Sequence, residues 1–101
     1  MIQIIWEFRV KPGQELQFER HYSASGTWAR FFRQSPAYRG TTLLRDVEDL
    51  RRYLTIDRWE DEGSFQRFKE ERAAEYQALD EQFEELTEEE RRVGVFVSAG
   101  R

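Results

Sequence analysis

The sequence predicts an α+β fold, a four-stranded antiparallel sheet with its helices on one face, in the order β-α-β-β-α-β. Three observations predict it. Ile2 to Val10 alternates like a half-buried strand, with Ile2, Ile4, Trp6, Phe8 and Val10 on one side and Gln3, Ile5, Glu7 and Arg9 on the other. Gly40 to Asp46 and Tyr53 to Trp59 read as two strands joined by a short polar turn, as in an antiparallel hairpin. From Glu62 onward, apolar residues recur every three or four positions, the spacing of an amphipathic helix.

Lys11-Pro12-Gly13 ends the first strand, because proline donates nothing to a ladder and suits a helix start. Gln14 to Tyr22 is helical, with Phe18 and Tyr22 on one side, and the poor helix formers Ser23 to Gly26 interrupt it. A second short helix, Thr27 to Gln34, presents Trp28, Phe31 and Phe32 before Ser35-Pro36 closes it. The long helix carries Phe65, Phe68, Tyr76, Leu79, Phe83 and Leu86 on one stripe, with the stem of Arg72 along it. Thr87 to Glu90 has the form of a capping box opening one further helical turn, and Val93, Val95 and Val97 alternate as the fourth strand. This is the ferredoxin-like arrangement. The face away from the helices is expected to hold Ile5, Glu7, Arg9, Leu43 and Arg45, with Leu54, Ile56 and Arg58 or their neighbours. That mixed surface is too apolar for open exposure, and two such sheets packed face to face would make a homodimer.

Length and composition bound the function. The 101 residues are expected to form one domain, 1–101, able to bury about 60–70% of the surface of the unfolded chain. With no cysteine, disulfides, thiolate metal sites and a cysteine nucleophile are excluded. MIQIIWEFRV has no basic stretch leading into a long apolar run, and no segment approaches the roughly 20 apolar residues that span a bilayer. The expectation is a soluble, cytoplasmic protein with no membrane partner. The net charge of −4 hides an asymmetry: Glu60 to Glu90 holds thirteen acids and three bases, while the arginines elsewhere are dispersed. No basic cluster interleaves with stacking aromatics, so no nucleic-acid partner is expected.

Fifteen aromatics are a heavy load for so short a chain (eight Phe, four Tyr, three Trp). Trp6, Trp28, Phe32 and Trp59 are placed to converge between sheet and helices, as core packing or as the walls of a flat apolar pocket for a planar ligand. His21 is the one side chain whose ordinary pKa lies near neutrality and is a candidate proton acceptor, though a lone helical histidine is commonly a bystander. Asp57 sits mid-strand on the face of Tyr53, Thr55 and Trp59, and either pairs with a cross-strand arginine such as Arg45 or Arg9 or takes a proton. Tyr53 and Tyr76 could donate hydrogen bonds into a cavity or turn their hydroxyls to water. A glycine-rich phosphate loop, a GxSxG elbow, nucleotide and flavin fingerprints and a His/Asp/Glu metal set are all missing, so no cofactor and no metal are expected.

Lys11-Pro12-Gly13 after the first strand, GTTLLR from Gly40, and YLTIDRW from Tyr53 followed by Ser64-Phe65 resemble the antibiotic biosynthesis monooxygenase domain of the dimeric α+β barrel superfamily. The resemblance covers Ile2 to Val97. It implies a homodimer through the sheet faces, with a pocket between sheet and helices in each subunit. Members of this family include cofactor-independent oxygenases of aromatic polyketides and haem-degrading enzymes. The haem branch uses a first-strand asparagine and a tryptophan and histidine on the second helix, positions that hold Trp6, Phe68 and Ala78 here, so haem chemistry is disfavoured. The resemblance therefore implies a cofactor-independent monooxygenase acting on a hydrophobic aromatic, polyketide- or quinol-like molecule. In that reading Trp6, Trp28, Phe32, Trp59 and Phe68 bind substrate, Tyr53 and Tyr76 donate hydrogen bonds, and His21 or Asp57 takes the proton. The alternatives are a non-catalytic, stress-type dimer that holds a small molecule, and an isomerase or cyclase on the same scaffold.

Overall fold

The computed structural model describes residues 1–100. Strand β1 (Ile2–Val10) is followed by helices α1 (Glu15–Tyr22) and α2 (Thr27–Phe32), strands β2 (Tyr38–Arg45) and β3 (Arg52–Trp59), helices α3 (Glu62–Glu71) and α4 (Ala73–Phe83), a single 3-10 turn at Glu84–Leu86, and strand β4 (Thr87–Phe96). All neighbouring strands are antiparallel, in the order β2-β3-β1-β4. The chain is thus α+β and ferredoxin-like. Among the described residues no helix is long and apolar enough to cross a membrane.

The alternation of β1 and β3 sets the two faces. Ile4, Phe8, Val10, Tyr53, Thr55 and Trp59 are buried under the helices, with Trp6 partly so. From above, Phe18, Tyr22, Trp28, Phe31, Phe32, Phe65, Phe68 and Phe83 close on them. Many of the rings meet edge-to-face, as Phe32 does with Trp59 at 5.5 Å and Trp28 with Tyr76 at 5.2 Å, an arrangement their quadrupoles favour, while Phe18 and Tyr22 stack at 4.1 Å. Gly26 makes the α1–α2 elbow possible. A Cβ there would lie 2.7 Å from the backbone carbon and oxygen of His21, so the two helices can approach this closely only across a glycine.

Three expectations are corrected by the backbone. Thr87 to Glu90 is strand, not a capped helical turn. Glu90 pairs with Phe8 and Glu89 with Arg9 on β1, while Arg51 and Glu88 form a salt bridge at 3.1 Å and Arg91 and Glu7 one at 2.6 Å. Sheet pairing and cross-strand charge thus override the local helical preference of TEEE. The helix expected to run unbroken from Glu62 to Leu86 is interrupted at Arg72, whose backbone (φ −121°, ψ 35°) is not helical. There its Nε donates to Gln34 at 3.1 Å and its guanidinium covers the Phe68 ring at 4.9 Å. The break lets α3 seat Phe65 and Phe68 on Trp59 while α4 turns Tyr76 and Phe83 toward Trp28. Finally, Leu43 and Arg45 face the helices and not the open side. An irregularity between Tyr38 and Gly40, where Gly40 has φ +111°, shifts β2 so that Leu43 opposes Thr55 and Arg45 opposes Tyr53. Thr42 and Leu44 take their place beside Ile5, Glu7, Arg9, Leu54, Ile56 and Arg58 on the open face.

Candidate functional site

Between sheet and helices lies a cavity of about 120 Å³. The sheet supplies Trp6 and Phe8 from β1, Thr41 from β2, Thr55 and Asp57 from β3, and Glu90 from β4. The helices supply Tyr22, Trp28, Phe32, Lys69, Tyr76 and Asp80. Six aromatic rings make the walls, no sulfur atom touches the space, and the polar groups are few enough to orient a ligand.

Asp57 is the central polar group. The side-chain period of two on β3 places it on the inner face between Thr55 and Trp59, where an acid has no apolar reason to be. Among the described residues it has no arginine partner: Arg45 lies 3.6 Å from Glu19, and Arg9 pairs with Asp49. Its bond comes from Thr41 Oγ1, which donates to Asp57 Oδ1 at 2.6 Å, and the Thr41 hydroxyl is itself in a short bond with the Tyr38 hydroxyl. With Thr41 donating to Asp57, Tyr38 donates to Thr41, and the carboxylate ends a chain of three oxygens from adjacent strands. Burial lifts the Asp57 carboxyl to about 6, against the Thr41 hydrogen bond and the charge of Arg58, which lower it. Tyr38 is buried and pushed above its ordinary value, so it remains a protonated donor.

On the opposite wall Tyr76 is held well above its usual pKa, first by burial and then by Asp80, Asp57 and Glu90. The Lys69 ammonium sits over its ring at 4.9 Å. Asp80 and Glu90 are both raised by burial, and Glu84 adds to each. Among the described residues no group of three or more His, Cys, Asp or Glu side chains is arranged to hold a metal ion.

The structure therefore brings Trp6, Trp28, Phe32, Asp57 and Tyr76 together around one space. The remaining sequence candidates lie elsewhere. Trp59 is fully buried beneath Phe32, Phe65 and Phe68 and does not reach the cavity. Phe68 packs on the far side of the core and borders a separate surface groove with Gln34 and Arg72. Tyr53 shares the inner face with Asp57, but its hydroxyl donates to Glu19 at 2.6 Å, away from the cavity. His21 stacks on Phe83 at 4.2 Å and shares a hydrogen bond with Thr27 Oγ1 through Nδ1 at 2.8 Å. Burial, with Arg20 and Arg30 nearby, lowers its pKa, and it is not among the lining residues. Thr41 and Thr55 were open to inference from cross-strand pairing with Asp57 and Leu43. Lys69, Asp80 and Glu90 carry no such signal, since the break at Arg72 and the start of β4 decide which way they face.

The chain is similar in structure to SnoaB, a cofactor-independent oxygenase from Streptomyces nogalater, with a TM-score of 0.79 and 22% identity over 99% of this chain and 94% of that one. It is also similar to a candidate antibiotic biosynthesis monooxygenase from Bordetella bronchiseptica, with a TM-score of 0.75 and 23% identity over 97% of this chain and 96% of that one. A third neighbour, from Nitrosomonas europaea and of the same description, has a TM-score of 0.72 and 15% identity over 99% of this chain and 100% of that one. At these identities the likeness is one of fold. No curated protein matches the chain. The family model described as antibiotic biosynthesis monooxygenase matches residues 1–81, which carry all of the sheet but β4 and every lining residue except Glu90. The chain belongs to the antibiotic biosynthesis monooxygenase family.

Proposed function

We propose that the chain is a cofactor-independent monooxygenase of a small, planar, hydroxylated aromatic molecule of the polyketide or quinol type. The observation that carries the proposal is Asp57: a half-buried carboxyl lifted to about 6, in an aromatic cavity, with a hydrogen-bonded hydroxyl behind it. A general base works best when its pKa lies near the operating pH, and burial is what brings this carboxylate there.

The chemistry balances with O₂ as the only co-reactant. The Asp57 carboxylate takes a proton from an activated C–H of the substrate and leaves a resonance-stabilised anion. The anion passes one electron to O₂, and the resulting radical and superoxide combine into a C–O bond. The peroxide takes the proton back from Asp57 and, as its O–O bond breaks, the same carbon gives up its second hydrogen, so water leaves: one oxygen atom ends as a carbonyl and the other as H₂O. The substrate ring supplies the electrons, and the protein holds it, excludes water and manages the proton. Thr41 favours the ionised form of Asp57 before abstraction, and Trp6, Phe32 and Trp28 enclose the ring.

The test is O₂ uptake with a panel of anthrones and hydroquinones. Uptake above buffer with at least one compound, lost in Asp57→Asn, is expected; uptake no higher than buffer across the panel refutes the proposal. Ligand affinity retained by Asp57→Asn while uptake is lost separates catalysis from simple binding.

We also propose that two copies pair through their open sheet faces. Ile5, Leu54 and Ile56 line the middle of this face, and Leu44 and Phe96 remain 45% and 44% exposed on it. Glu7 is already neutralised by Arg52 and Arg91, at 2.5 and 2.6 Å, so the face can be covered without stranding that charge.

A further inference from the structure

We infer that Tyr38 is a positioning residue for Asp57: acting through Thr41, it fixes the hydrogen bond to Oδ1, so that the proton Asp57 takes up is held on Oδ2, beside the cavity. The inference rests on reading Asp57 as the group that takes a proton in the cavity, and not on what O₂ does afterwards. Tyr38 does not line the cavity, and its hydroxyl meets Thr41 Oγ1. Thr41 has one hydroxyl hydrogen, and it goes to Asp57 Oδ1 at 2.6 Å, because an ionised carboxylate only accepts. Tyr38 therefore donates to Thr41. A proton arriving on Oδ1 would reverse the chain, with Asp57 donating to Thr41 and Thr41 to Tyr38. The Tyr38 O–H, on a side chain only 8% exposed, would then have no acceptor among the described residues. Oδ2 carries no such cost. It has no hydrogen bond and is not one of the enclosed, unpartnered atoms, which are Glu15 Oε1, Trp28 Nε1 and Trp59 Nε1. It thus keeps open surface, on a side chain that lines the cavity.

The backbone of β2 brings the two hydroxyls together. Side chains three apart on a regular strand point to opposite faces. Tyr38 and Thr41 are three apart, yet they oppose Trp59 and Asp57, which are two apart on the inner face of β3. The additional residue is taken up between Tyr38 and Gly40, where Gly40 has φ +111°. A Cβ on Gly40 would meet nothing within 4 Å, so it is the positive φ and not crowding that favours glycine there. The effect of that conformation is to set Tyr38 behind Thr41.

The test is a carbon-13 titration of the Asp57 carboxyl in the whole protein without substrate. In Tyr38→Phe the Thr41 hydroxyl is free to turn and accept from a protonated Oδ1, so the neutral acid gains a partner and the charged form loses a polarised donor. The midpoint should rise by about half to one pH unit, the size of one ordinary hydrogen bond. Arg58, Tyr76, Lys69, Asp80 and Glu90, the other charged and titratable groups around the carboxyl, are the same in both proteins. Tyr53→Phe removes an inner-face hydroxyl that bonds to Glu19 instead, and should leave the midpoint where it is. Adding Tyr38→Phe to Thr41→Val should move the midpoint no further than Thr41→Val alone, because the tyrosine acts through the threonine. A midpoint in Tyr38→Phe that stays or falls, or an equal shift in Tyr53→Phe or in the absence of Thr41, overturns the inference. A shifted midpoint in a protein that takes up no O₂ with anthrones or hydroquinones keeps the inference and removes the oxygenase reading. Uptake with an unshifted midpoint does the reverse.

Discussion

Replacing Asp57 with asparagine keeps the shape of the side chain and its acceptor for Thr41, and removes the charge. In the folded protein burial raises the carboxyl from 3.8 to about 6, so the native state holds this proton more tightly than the unfolded chain does. Stability from this group is therefore greatest below 3.8, falls as the pH rises through the window up to about 6, and is level above it. At about 1.36 kcal/mol for each pH unit, the ionised carboxylate costs the fold on the order of 3 kcal/mol at neutral pH. That is a large share of the roughly 5–15 kcal/mol that holds a domain together. Asparagine does not titrate, so Asp57→Asn should gain on wild type by on the order of 3 kcal/mol between acid and neutral pH. Burial of the amide shifts both ends of that comparison equally and leaves the change intact. Urea unfolding of both proteins from about pH 4 to about pH 8 measures it, together with O₂ uptake by wild type, which should rise through the same midpoint near 6. A stability difference that stays constant across that range would show that Asp57 titrates as an ordinary carboxylate, and the argument for it as the base would fail.

Other substitutions report on neighbouring parts of the argument. Thr41→Val removes the bond that favours the charged form of Asp57, so the midpoint should move further up in a carbon-13 titration of the carboxyl; a midpoint that falls contradicts the assigned bond. Gly26→Ala places a methyl group 2.7 Å from the His21 backbone, and thermal unfolding should report a loss of about 1–3 kcal/mol; an unchanged transition would mean that the α1–α2 elbow yields freely. Leu54→Lys puts a charge in the middle of the open sheet face and should turn a dimer into a monomer by light scattering at micromolar protein. Wild type that is already monomeric there rules out pairing through this face.

The sequence of elements and the hairpin were legible because a period of two and a polar turn are local signals, and Ile2 to Val10 states its inner face residue by residue. What escaped reading was long-range. TEEE is a good helix start by itself, and only its partners on β1 make it a strand. The same limit governs the site. Alternation correctly grouped Tyr53, Asp57 and Trp59 on the inner face, but a face is not a place along it. Tyr53 lies toward Glu19, Trp59 lies under α3, and only Thr55 and Asp57 between them meet open space. Trp6, Trp28, Phe32 and Tyr76 were recoverable because large rings on inward stripes have nowhere else to go. His21 was proposed for its chemistry alone, and the core seats it against Phe83.

The sulfur-free cavity bears on how long such a protein would last at work. Quinones alkylate thiolates, and reduced oxygen species carry cysteine and methionine along a ladder of oxidation states. This chain has no cysteine, and its single methionine is Met1, 66% exposed and away from the cavity. A catalyst that releases a quinone and lets superoxide form beside its substrate is open to self-inactivation at each turnover. If the cavity performs the proposed reaction, its walls of phenylalanine, tryptophan, tyrosine and threonine would give those products no sulfur to attack.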